Sequence, residues 1–117
     1  MTELSAGAKE LQAALRTAIE ACEAEVENAK AIIRRAVAVD QDCGEGLPYG
    51  ATVEAGWPSV GTLLVASAQR LTETASMLRR AEARQLRLEG MTMHEIAEVL
   101  GVTRQRVSVL LQTDARE

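Results

Sequence analysis

The sequence predicts an all-α protein: a long N-terminal antiparallel helical hairpin that pairs as a dimeric bundle, followed by a C-terminal helix-turn-helix. Three observations carry this reading. Apolar and small side chains recur at alternating steps of four and three from Leu4 to Val39. Neither Gly nor Pro occurs from Thr62 until Gly90, which leaves a second long helix uninterrupted. From Gly90 to Leu111, caps, apolar residues and a stop glycine follow one another in the order that two short crossed helices require.

The first stretch sets Leu4, Ala8, Leu11, Leu15, Ala18, Cys22, Ala29, Ile32, Ala36 and Val39 on one stripe. Glu25 interrupts it, and the neighbouring Val26 is expected to fill the gap. Ile19, Val26 and Ile33 widen the stripe beyond what a two-stranded coiled-coil seam needs. A single helix of about 35 residues, on the order of 50 Å long, is the simplest reading. One intrachain partner cannot cover so broad a face, so two hairpins are expected to associate as a homodimer.

Residues 40–58 hold four glycines and both prolines of the chain, a composition that breaks helices and marks a connection. Leu47, Tyr49, Val53 and Trp57 are expected to pack over the end of the bundle, a small-ligand pocket being the alternative. The second helix then starts near Pro58 or Ser59 and runs to Glu89, with Val60, Leu63, Leu64, Leu71, Ala75 and Leu78 on its apolar face. Its last turns, with Ala83 and Leu86, double as the first helix of a three-helix unit. The expected division is a hairpin and dimerisation region at 1–75 and a helix-turn-helix domain at 76–117.

Within that domain Thr92 and Glu95 stand in the capping-box relation, and Met91 with Ile96 can form a hydrophobic staple. A helix therefore starts at Met93, buries Ile96, Ala97 and Leu100, and stops at Gly101, the residue best able to turn left-handed. Val102 and Val107 repeat the staple around a second cap at Thr103. The next helix is held by Val107 with Leu110 or Leu111, and its outer face carries Arg104, Gln105, Ser108 and Gln112.

The run from Glu89 to Val107 resembles the helix-turn-helix of bacterial sigma factor region 4 and similar regulators, a likeness confined to residues 86–112. In that family the arginine after the second cap and the residue beside it read bases, which implies that role for Arg104 and Gln105. Ser108 and Val109 depart from the family's pattern, in which polar or charged base-contacting side chains usually stand there.

The charge is unevenly divided. The net charge is −4, yet residues 1–57 carry five Lys/Arg against ten Asp/Glu while residues 58–117 carry eight against seven. The acidic surplus lies away from the motif, and Arg70, Arg79, Arg80, Arg84 and Arg87 lead into it as a basic segment. Some of these arginines are candidates for phosphate contact, with a solvated helix face as the plain alternative.

Other chemistries find little support. There is no Gly-rich phosphate loop, no nucleophile elbow and no paired-carboxylate motif, so no enzyme and no cofactor are expected. Cys22 and Cys43 lack CxxC spacing and one His cannot complete a usual zinc set with them, so no metal is expected. They read as reduced thiols, Cys22 in the core and Cys43 in a loop, with a redox or metal sensor as the sharper alternative. Neither a membrane span nor a signal peptide is visible, so a cytoplasmic, nucleoid-associated protein is expected.

The expected function is that of a small sequence-specific DNA-binding protein, a bacterial transcriptional regulator acting on double-stranded DNA as a homodimer. Arg104, Gln105 and Ser108 would address base edges; Thr92, His94, Thr103 and Arg106 would address phosphates, and Gln112 shares the outer face. The alternative is a protein-interaction adaptor whose sigma-like unit docks on RNA polymerase or another regulator.

Overall fold

The structure is a computed structural model and describes residues 3–52 and 58–112. Among these residues every regular element is helical: α1 Glu3–Gly44, α2 Tyr49–Thr52, α3 Val60–Leu88, α4 Met93–Leu100 and α5 Arg104–Gln112.

α1 runs past the expected stop at Val39, because Asp40, Gln41 and Asp42 contain no breaker and the next glycine after Gly7 is Gly44. Gly46 then takes φ 88°, and Leu47 N–H returns to the Asp42 carbonyl at 3.1 Å, which closes the last turn. The connection expected at 40–58 is correspondingly shorter and holds the single turn of α2. Leu47 and Tyr49 are exposed rather than packed over a helix end. Val53 and Trp57, expected there too, lie outside the described residues. Among the described residues of this segment the buried side chain is Thr52, whose hydroxyl donates to Tyr49 O at 2.7 Å while its carbonyl accepts from Arg35.

α3 begins as expected. Ser59 caps it by accepting from Thr62 N–H at 3.1 Å, and Gly90 at φ 95° ends it, with Met91 N–H bonded to Leu86 O.

The chain divides into two compact units, one of residues 1–19 with 73–117 and one of residues 20–72. In the first, the N-terminal turns of α1 lie against the C-terminal half of α3, where Ala14, Ala81 and Ala83 are buried. A Cβ on Gly7 would come within 2.4 Å of Gln85 Oε1 and 2.6 Å of Leu88 Cδ1, so the absence of a side chain permits the approach. Glu10 pairs with Arg84 beside this contact.

In the unit of residues 20–72, the break in the apolar stripe has a reason. Glu25 turns toward α3, accepts from Ser67 Oγ at 2.7 Å and is gripped by Arg70 through two bonds of 2.9 Å. Val26 does not take its place; it is exposed, as are Ile33 and Val37 on α1 and Leu64, Val65 and Leu71 on α3. Cys22, expected in the core, is also exposed, because the packed side of α1 passes through Ala21 and Glu25 and leaves the next residue a sixth to a third of a turn away. Cys43 is an exposed thiol in the last turn of α1 rather than in a loop.

The bond from the Arg70 guanidinium, then that from the Ser67 hydroxyl, hold the Glu25 carboxyl down from 4.5 to about 2. A depressed folded value stabilises the fold at pH above the ordinary 4.5 and loses that contribution as pH falls from 4.5 toward 2. Urea unfolding at pH 7 and pH 3 is therefore expected to show a larger acid loss for the wild type than for Glu25→Gln. Equal losses would mean that the carboxylate is not held in solution as it is here.

Candidate nucleic-acid interface

The site is built from the cap upward. Thr92 sits at φ −74°, ψ 162°, its hydroxyl accepts from Glu95 N–H at 3.2 Å, and Glu95 Oε1 accepts from Thr92 N–H at 2.9 Å. That is the expected capping box, and the bond from the Thr92 backbone, then that from its side chain, keep Glu95 ionised to lower pH than usual. At the other end of α4, Gly101 turns left-handed at φ 69°, ψ 35°, and Val102 N–H bonds to Ala97 O at 3.0 Å. Such a turn is open to glycine at little cost, and it redirects the chain at once into α5.

Thr103 caps α5 by accepting from Arg106 N–H at 3.0 Å. Ile96 and Val107 are completely buried and Leu110 almost so, and with Ala83 and Ala97 they form one core. Leu86, Met91, Met93, Leu100, Val102 and Leu111 pack on its edge. Between Leu110 and Leu111, which the spacing left open, the structure buries Leu110.

Fixing Val107 and Leu110 inward decides what α5 presents outward. Arg104, Gln105, Arg106 and Gln112 are exposed; Ser108 is half-buried; Val109 is exposed. Arg104 and Gln105 stand in the first turn of α5, beside the exposed cap Thr103. Thr92 and His94 are exposed at the start of α4, where His94 Nε2 lies 2.9 Å from Glu98 Oε1. Both helix starts leave backbone N–H groups at their positive ends, a setting that suits phosphate oxygens.

The basic segment on α3 is largely spent on structure. Arg70 holds Glu25, Arg84 holds Glu10, and Arg87 donates to Met91 O at 3.1 Å across the α3–α4 turn. Arg79 is exposed and Arg80 half-buried. Sequence reasoning passed over Gly7 and Gln85, which shape the packing behind the motif. A glycine inside an otherwise strong helix pattern was the available signal for the first.

A family profile for a homeodomain-like domain matches residues 74–113, which spans the C-terminal half of α3 together with α4 and α5. No curated protein and no solved structure matches the chain. The C-terminal segment is thus a helix-turn-helix domain, and a domain of this kind points to DNA as its partner. Among the described residues no helix is long and apolar enough to cross a membrane.

Proposed function

We propose that the protein is a sequence-specific DNA-binding regulator of bacterial type, acting as a homodimer through residues 1–75, with α5 lying in the major groove. The observation that carries the reading is the division of α5. Its inner side is locked by Val107 and Leu110, so Arg104 and Gln105 are presented from a rigid first turn. An Arg so placed can reach the O6 and N7 edge of guanine, and Gln can pair with adenine.

In this reading Arg104, Gln105 and Ser108 read bases, Ser108 from a half-buried position that suits a close groove wall. Thr92, Thr103, His94 and Arg106 meet phosphates, with Gln112 at the far end of the same face. His94 does so with Glu98 beside it, a carboxylate that lessens its value to an anion. The likeness to sigma factor region 4 supports the roles of Arg104 and Gln105, and it assigns no promoter element. The chain acts as a binding module rather than an enzyme.

Arg104→Ala tests this on the full chain. Selection of bound sequences from a random DNA pool gives the preferred site, and binding to it is expected to weaken by about 1–3 kcal/mol with preference relaxed at one base pair. Arg106→Ala is expected to weaken all sequences alike and to flatten the salt dependence. A wild-type chain that selects no sequence, or an Arg104→Ala variant with unchanged selection, defeats the assignment.

A further inference from the structure

We infer that a second copy of this chain docks on α1 by an antiparallel α1–α1 pairing, its two-fold axis passing beside residues 27 and 28. Val26 then meets Ala29 of the partner subunit, and Cys22 meets Ile33 of the partner subunit. The inference rests on the homodimer reading and gives it a surface, a direction and a register.

The surface follows from helix geometry within residues 20–72. On α1 the half-buried positions Ala21, Glu25 and Ile32 face α3, and each is followed by an exposed residue: Cys22, Val26 and Ile33. On α3 the half-buried Leu63 and Ser67 are likewise followed by the exposed Leu64 and Ala68. One residue is a rotation of about 100°, clockwise when the chain recedes from the viewer. The contacts of Glu25 with Ser67 and Arg70, and the groove shared by Ile32 and Leu63, run the two helices in opposite directions. For two antiparallel helices that face each other, the same advance of one residue swings both outer rows to the same side. The exposed rows therefore make one apolar face, which a second copy of the same two-helix layer can cover.

The direction follows from side-chain size. The outer row of α1 has heptad spacing, with Val26 and Ile33 at a positions and Cys22 and Ala29 at d positions; that of α3 has Leu64 and Leu71 at d and Ala68 at a. Antiparallel helices pair a with d in each layer. In an α1–α1 pairing every such layer sets a β-branched residue against a small one, which interdigitates. An α1–α3 pairing would set Val26 or Ile33 against a leucine and Cys22 or Ala29 against Ala68. A parallel α1–α1 pairing would likewise stack large on large and small on small. Only the antiparallel self-pairing keeps the helices at an even distance.

The register follows from charge. With the axis beside residues 27 and 28, Glu23 flanks Lys30 of the partner subunit, and symmetry repeats the pair. Lys30 is exposed and engaged at 3.0 Å with the equally exposed Glu27, an exchangeable partner. Sliding one heptad either way would bring Glu23 against its own copy, or Lys30 against its own copy.

Disulfide trapping on the full chain tests each step, in a Cys43→Ser background so that Cys22 is the sole native thiol. Adding Ile33→Cys is expected to give a covalent dimer on mild oxidation, whereas Cys22 alone gives none. In the inferred register two copies of Cys22 are offset by eleven residues, about 16 Å along the axis, beyond the reach of a disulfide. Covalent dimer from Cys22 alone would show a parallel pairing and overturn the inference. So would the absence of cross-linking at position 33 in a chain that sediments as a dimer, as an α1–α3 pairing requires. A chain that sediments as a monomer would instead remove the homodimer reading itself. Independently, Glu23→Lys and Lys30→Glu should each weaken the dimer several-fold and the double variant should restore it; no restoration counts against the register.

Discussion

Ile96→Ala is expected to destabilise the C-terminal unit by about 2–5 kcal/mol, a large loss for a single truncation in the motif. Ile96 has no exposed surface, and it packs with Val107, Leu110, Ala83 and Ala97 in one core. Truncation removes three carbons from a core shared by α3, α4 and α5, and the void left behind adds to the lost burial. The loss falls on the element that orients α5, so DNA affinity should drop together with the melting temperature. Thermal unfolding followed by helicity and a binding titration on the same samples decides it. A loss below about 1 kcal/mol would mean that Ile96 is not enclosed in solution.

The second large effect is expected at Ala97, from the opposite change. Ala97 is 6 % exposed, and its carbonyl accepts from both Gly101 and Val102, the turn that redirects the chain into α5. Ala97→Leu adds three carbons at this crossing, and overpacking of that kind costs about 1–3 kcal/mol. Relief requires α5 to move away from α4, which in the proposed reading would swing Arg104 and Gln105 out of register with the DNA groove. Affinity is therefore expected to fall further than stability alone explains, when binding is measured well below the melting temperature. A variant that melts lower yet binds normally would place the crossing elsewhere.

Local chemistry makes the motif legible in the sequence itself. Thr92 with Glu95, Gly101 and Thr103 each satisfy a backbone need set by nearest neighbours, so their roles follow from residue type and spacing. The exposed character of Arg104 and Gln105 follows in turn from the two apolar positions that must point inward. The start of α3 at Ser59 was legible for the same reason.

What the tertiary structure decided are the choices that local chemistry leaves even. Apolar periodicity places residues on a stripe to within about one position, and one position is about 100° of rotation. It therefore could not tell whether α1 turns Glu25 or Val26 toward α3; a carboxylate won because Ser67 and Arg70 stand opposite it. The same rotation moved Cys22 from the expected core to the surface. Gly7 became a close-approach site only because Gln85 and Leu88 lie across from it, 78 and 81 residues later in the chain. Arginines that read as a basic run were in part consumed by Glu10 and Glu25, partners 74 and 45 residues away in sequence. A residue's need for a cap is written beside it, whereas its long-range partner is written on another helix and is fixed only when the two helices meet.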